Sequence, residues 1–207
     1  VGAENNPADI RICFFGDSLV NGVGDPQYLG WTGRICADAR RKGHDVTHYN
    51  LGVRGHTSAD IESRWHDEAG RRLYPPNRTI EPRILFSFGT NDTVVIGGQR
   101  RLTFEQSVGN TSRIVSEAHM LCPVLIVGPS PISDETRQGE IKALSDAFGS
   151  ICESEGVPFL DVFDRLLASE AWMGEIAAGD GAHPGAHGYD ALARIVQESS
   201  GWLNWFD

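Results

Sequence analysis

A serine, a histidine, an acid and two hydrogen-bond donors are spaced along this chain in a way that suits acyl transfer. Ser18 lies in Gly16-Asp17-Ser18-Leu19, directly after the apolar run Ile10–Phe15. The run reads as a short strand that stops at Gly16 and presents Asp17 and Ser18 on the turn that follows. A serine hydroxyl attacks well only when a base takes its proton, and the tetrahedral intermediate then needs preorganised donors aimed at its oxyanion. Of the seven histidines, only His183 follows an acid by three residues in a loop-like segment, Asp180-Gly181-Ala182-His183-Pro184. That spacing lets Asp180 accept from Nδ1–H while Nε2 faces Ser18. Two donors stand at the ends of other apolar runs. Gly52 offers a backbone N–H with no side chain over it, and Asn91, in Gly89-Thr90-Asn91-Asp92, offers a carboxamide.

The elements between these residues have to bring them to one edge. Ile10–Phe15, Val46–Leu51, Arg83–Phe88, Pro123–Val127 and Pro158–Val162 read as five short apolar strands. Between and after them lie helical patterns: Trp31–Lys42, Thr57–Leu73, a segment from the Thr103–Gln106 capping box to about Leu121, Gln138–Glu155 and Gly188–Ser199. In Thr57–Leu73, for example, Ile61, Trp65, Ala69 and Leu73 recur at four-residue steps, the mark of an amphipathic helix. The alternation predicts an α/β fold, a three-layer α/β/α sandwich around a five-stranded parallel sheet of flavodoxin-like type. The expected strand order is 2-1-3-4-5 with right-handed crossovers. Ligands of such sheets bind outside the carboxyl ends of the strands, where the order reverses. In a 2-1-3 order Ser18 has Gly52 on one side and Asn91 on the other.

Composition narrows the partners. A chain of 207 residues is expected to form a single domain, 1–207. Its formal net charge of -10 argues against nucleic acid and against an anionic membrane surface. The longest apolar runs, Ile84–Phe88 and Val124–Val127, are too short to span a bilayer. Val1–Asp9 lacks the basic start and apolar middle of a signal peptide, and Cys13, Cys36, Cys122 and Cys152 read as small buried hydrophobes rather than a disulfide or zinc framework. The resulting expectation is a cytoplasmic protein. Because the first residue is Val rather than Met, a removed targeting segment stays open.

Gly16–Leu19, Gly89–Asp92 and Asp180–Pro184 are together similar to the blocks of the GDSL, or SGNH, esterase/lipase (acylhydrolase) superfamily, and Gly52 in Asn50-Leu51-Gly52-Val53-Arg54-Gly55 fits the remaining block. The blocks come in the family's order and cover nearly the whole chain. The resemblance implies an SGNH hydrolase fold with Ser18 as nucleophile, His183 as general base and then acid, and Asp180 as its orienting carboxylate. It implies an oxyanion hole from the Ser18 and Gly52 N–H groups and the Asn91 side chain. No cofactor or metal is implied, and the substrate is a small-molecule ester opened through an acyl-enzyme. Thioesterases, lysophospholipases and carbohydrate acetylesterases also use these blocks. The modest loops Asn21–Gly30, Thr93–Leu102 and Ser130–Arg137 favour short or medium acyl chains in an open pocket. Arg54 and His56, beside Gly52, are candidate substrate-binding residues; oligomeric state is left open.

Competing readings attach to several of these residues. Asp17 is expected to brace its turn through backbone N–H groups rather than to act as a second catalytic acid. Asp180, His183 and His187 have the look of a metal triad, but Pro184 and Gly185 fall between the histidines. A non-catalytic domain holding an anion at Gly16–Leu19 is the rival from another class, and it has no use for the Asp180/His183 pair. The aromatic tail around Trp202 and Trp205 is expected to pack across the domain.

Overall fold

The computed structural model describes residues 8–74 and 80–207; the stretch Val1–Asp9 read above for a leader falls mostly outside them. The first half of the chain runs β1 (Ile10–Gly16), α1 (Ser18–Asn21), α2 (Gly30–Arg41), β2 (Val46–Gly52), α3 (Ser58–Glu62), α4 (Trp65–Leu73) and β3 (Glu81–Ser87). After a 3-10 turn at Thr90–Thr93 come the hairpin strands β4 (Val95–Ile96) and β5 (Gln99–Arg100), then α5 (Phe104–His119), β6 (Val124–Val127) and α6 (Glu135–Glu155). The last part runs β7 (Phe159–Leu160), α7 (Phe163–Leu167), α8 (Glu170–Ala178), α9 (Ala186–Gln197) and α10 (Ser200–Leu203). Five strands form one parallel sheet in the order β2-β1-β3-β6-β7, the expected order. Helices cover both faces, so the fold is an α/β/α sandwich.

Side-chain alternation along β1 shows why both faces must be covered. Ile10, Ile12 and Phe14 join a core with Trp31 and Ile35 of α2, Trp172 of α8, Tyr189 and Leu192 of α9, and Trp202. Cys13 and Phe15 point the other way, into a core with Ile61, Trp65 of α4, Ile114 of α5 and Phe148 of α6. A strand buried on both faces has no solvent side on which to place polar residues, hence the continuous apolar run. The tail packs as expected: Trp202 and Trp205 are buried, their ring centroids 5.6 Å apart. All four cysteines are buried free thiols, and burial pushes Cys13 and Cys152 up to about 12.

Four elements differ from the sequence expectation. The helix over Thr57–Leu73 is two helices, broken at Ser63–Arg64; Thr57 caps the first in a capping box with Asp60. The helix expected from Gln138 starts three residues earlier, at Glu135, where Asp134 accepts from the Thr136 N–H. The last helix starts at Ala186 and is followed by α10, so Pro184 precedes the helix rather than opening it. Finally α7 and α8 occupy a stretch with no assigned element. Apolar residues surround α8, whose Ala171, Trp172, Met173, Ile176, Ala177 and Ala178 leave no polar face to mark the helical period.

Register sets the site. Gly16 lies opposite Gly52 on one side and Ser87 on the other, so β1, β2 and β3 end level with one another. The turns that follow therefore converge.

Candidate active site

Ser18 is the first residue of α1 and is buried. The cap of that helix is Asp17, whose Oδ1 accepts from the Leu19 N–H at 2.9 Å. This is the bracing role expected for Asp17, with one addition: its other oxygen accepts from Asn91 Nδ2 at 3.2 Å. Burial pushes the Asp17 carboxyl up to about 7, the Leu19 N–H acts against that, and nearby Asp92 reinforces it.

His183 Nε2 lies 2.7 Å from Ser18 Oγ although the two residues are 165 positions apart, and His183 Nδ1 lies 2.6 Å from Asp180 Oδ2. An ionised carboxylate only accepts, so Nδ1 carries the ring proton and Nε2 is left to accept the Ser18 hydroxyl. Asp180 Oδ1 accepts from the Ala182 and His183 N–H groups at 3.0 and 2.9 Å, closing a tight turn. Burial works against the Asp180 charge. The His183 side chain and the two backbone donors outweigh it and hold the carboxyl down at about 2. A hydroxyl, an imidazole of fixed tautomer and a charged carboxylate in this line can deprotonate the oxygen and stabilise the imidazolium that results.

The three donor candidates surround Ser18 but are not equally open. The Ser18 N–H belongs to the group that a helix start leaves without an intrahelical partner. Gly52 N–H is held by Asn50 Oδ1 at 3.0 Å. Asn91 Nδ2 gives one hydrogen to Asp17 and the other to the His56 carbonyl at 3.0 Å. An oxyanion at Ser18 thus competes with internal acceptors for two of its three candidate donors. The 3-10 turn that carries Asn91 follows Gly89, which sits at φ +120, a conformation favouring glycine.

Gly52 is pressed against the Ser18 turn. A Cβ there would lie 2.3 Å from Asn21 N and 2.7 Å from the Asp17 carbonyl, both backbone atoms. Gly52→Ala must therefore displace α1, and because misplacement by about 1 Å can cost about 100-fold, a loss of that order in kcat is expected. Steady-state kinetics with thermal unfolding alongside checks this; wild-type kcat would contradict it.

Beside His183 runs a surface groove of about 480 Å³, whose walls include Val23, Gly24, Arg54, Glu175 and Pro184. Arg54, expected to bind substrate, is on this wall. The His56 side chain is engaged elsewhere, its Nδ1 accepting from Arg64 Nε at 3.1 Å. His187, the third member of the metal-triad alternative, turns to Glu175, with Nδ1 and Oε1 3.0 Å apart. Both ring nitrogens of His183 are already used, and among the described residues no group of three His, Cys, Asp or Glu side chains is arranged to hold a metal.

Residues that sequence reasoning passed over hold the His183 loop in place. Glu175 of α8 accepts from the His187 and Gly188 N–H groups at 3.2 and 2.7 Å, capping the start of α9. Tyr189 Oη donates to the Val23 carbonyl at 2.7 Å. Arg34 of α2 bridges buried Asp25 and Asp190 of α9. Burial opposes the Asp25 charge, but Arg34 and the Gln27 and Gly30 N–H groups hold it down at about 2. None of these pairs is local in sequence, so no spacing could have shown them.

Comparison with known proteins agrees with this architecture. The chain is similar in structure to a lipase/acylhydrolase from Enterococcus faecalis, with a TM-score of 0.73 and 23% identity over 90% of this chain and 93% of that one. It is similar to an alpha/beta hydrolase enzyme from the metagenome of Lake Arreo, Spain, with a TM-score of 0.75 and 18% identity over 96% and 98%. An acetylxylan esterase from Geobacillus stearothermophilus gives a TM-score of 0.73 and 17% identity over 91% and 93%. At these identities the likeness is one of fold. No curated protein matches the chain at a significant level. The model of the GDSL-like lipase/acylhydrolase family matches residues 14–191, from the last residues of β1 into α9. The chain, a carboxylic ester hydrolase by class, belongs to the GDSL-like lipase/acylhydrolase family.

Proposed function

We propose that this protein hydrolyses small carboxylic esters of short or medium acyl chain through an acyl-enzyme on Ser18. The observation that carries the reading is the line Ser18 Oγ, His183 Nε2, His183 Nδ1, Asp180 Oδ2, with separations of 2.7 and 2.6 Å. Ser18 attacks the acyl carbon as its proton passes to His183. Negative charge collects on the former carbonyl oxygen, for which the Ser18 and Gly52 N–H groups and the Asn91 amide are the candidate donors. The tetrahedral species collapses, His183 protonates the departing alkoxide, and the ester is left on Ser18. Water that loses its proton to His183 then releases the acid and restores the serine. A domain that merely held an anion at the turn has no need of the imidazole line.

The short-acyl part rests on the groove. Its wall beside His183 includes small residues, Gly24, Ala178, Gly179 and Gly185, and, besides Asp180, the charged Arg54 and Glu175. The groove is open to solvent, so a long alkyl chain lying in it would stay partly hydrated. The same charged residues favour a second reading, a hydroxyl-rich alcohol such as an acetylated sugar. Initial rates on p-nitrophenyl esters from acetate to palmitate separate the possibilities, with acetylated sugars and a thioester in the same panel. The expected result is highest kcat/KM at acetate or butyrate and clearly slower palmitate; a preference for palmitate overturns the acyl-chain assignment. No helix among the described residues is long and apolar enough to cross a membrane.

A further inference from the structure

We propose that Arg64 is a positioning residue for the oxyanion hole, one guanidinium bonded to the strand ends that lead to Ser18 and Gly52 and to His56, whose carbonyl holds Asn91. The inference rests on the serine hydrolase reading above. Arg64 Nη2 donates to the carbonyls of Leu51 at 2.8 Å and Gly16 at 3.3 Å. Leu51 immediately precedes Gly52, and Gly16 stands two residues before Ser18. Arg64 Nε donates to His56 Nδ1 at 3.1 Å, and the His56 carbonyl is the acceptor that takes the Asn91 amide. On its far side Nη1 pairs with Glu68 at 2.9 Å, and the guanidinium carbon lies 5.7 Å from the centre of the Phe15 ring. The break between α3 and α4 falls at this residue, whose φ of -129 and ψ of -24 leave the helical line.

The chemistry of the group fits the task. The Gly16 carbonyl also accepts from the Val53 N–H at 3.0 Å, but a carbonyl has two lone pairs, and a flat fork with donors on three nitrogens can meet several acceptors at fixed angles. An ammonium has one nitrogen and cannot span the same acceptors. His56 has to be unprotonated at Nδ1 to accept from a guanidinium. Burial, and then the Arg64 and Arg101 charges, lower its pKa below the ordinary histidine value against the pull of Asp60 and Glu68. Arg64 bonds to no donor directly: Leu51 precedes Gly52, Gly16 lies two residues before Ser18 and His56 holds Asn91 through its carbonyl, so Arg64 acts on where the donors point. Substrate does not have to touch it.

The test uses Arg64→Lys and Arg64→Met with Ser18→Ala as control. A fluorophosphonate counts competent sites, p-nitrophenyl acetate gives kcat and KM per counted site, and inhibition by phenylboronic acid reports the tetrahedral state. Misaimed donors weaken the tetrahedral species and spare substrate binding. Both variants are expected to lose about 30- to 100-fold in kcat per site, a size set by donor misplacement. KM should stay within about threefold while boronate affinity falls in step with kcat. A purely structural role would lower the number of competent sites and leave per-site kcat and boronate affinity near wild type, and that result overturns the proposal. So does failure of both variants to yield any folded protein. If Ser18→Ala is inactive and unlabelled while the Arg64 variants behave as wild type, only the Arg64 assignment falls. If Ser18→Ala stays active, the serine mechanism itself falls.

Discussion

Replacing Ser18 by alanine is expected to reduce kcat for ester hydrolysis by roughly 10,000- to 1,000,000-fold, the range seen when a nucleophile is removed from a serine, histidine and aspartate set. The protein should still fold, because the buried Oγ contributes one hydrogen bond and the α1 cap is made by Asp17. What disappears is the oxygen that accepts the acyl group in the proposed mechanism. Labelling by a fluorophosphonate should vanish with activity, while the melting temperature stays within a few degrees of wild type. Residual catalysis within about tenfold of wild type would require another nucleophile. Such an outcome would redirect attention to a metal-bound or His183-activated water acting on the ester without an acyl-enzyme.

Asp180→Asn is the second large effect, expected at roughly 1,000- to 30,000-fold in kcat. The substitution can keep Oδ1, and with it the bonds from the Ala182 and His183 N–H groups that shape the loop. It replaces Oδ2 by an amide that donates. That amide faces His183 Nδ1 and turns the ring to the tautomer protonated at Nε2, which cannot accept from Ser18. The loss should therefore come almost wholly in kcat, with KM and thermal stability little changed. Wild-type pH dependence supplies a companion test. Asp180 is held below the ordinary carboxylate value, so its charge is present through the neutral range and is lost only as pH falls through about 2. The acid limb of the activity profile therefore belongs to a group other than Asp180. An Asp180→Asn protein with near-wild-type kcat would show that the imidazole needs no orienting carboxylate.

The parts legible in the sequence are those whose information is local. Ile10–Phe15 announces a doubly buried strand because both faces of the sheet are covered, and so does Val124–Val127, whereas β2 at the sheet edge is half-buried and mixes polar with apolar residues. Ser18, Gly52 and Asn91 are found at strand ends, and the Asp180–His183 pair closes its own turn within three residues. Helix starts with a side-chain cap, at Thr57 and Thr103, are readable; the break at Ser63–Arg64 is not, since Ile61, Trp65, Ala69 and Leu73 keep their four-residue steps across it. Arg64, at the break, reaches carbonyls of two strands, contacts that no helical period encodes. Glu175, Tyr189 and Arg34 stay invisible for a related reason: their partners are 9 to 166 residues away, none at a helical or strand spacing. The occupation of Asn91 and Gly52 by internal acceptors was likewise beyond sequence, because it depends on side-chain aim rather than on residue type or strand position.

The separation between Ser18 and His183 has a consequence for how activity comes into being. The serine and the imidazole proposed to activate it stand 165 residues apart, one on the turn after β1 and the other in the loop before α9. A fragment that ends before α8 carries the serine turn and lacks the imidazole. The same division suggests a reporter: two fragments separated near Ser169, between α7 and α8, would each be silent, and turnover would begin only when the pieces found one another.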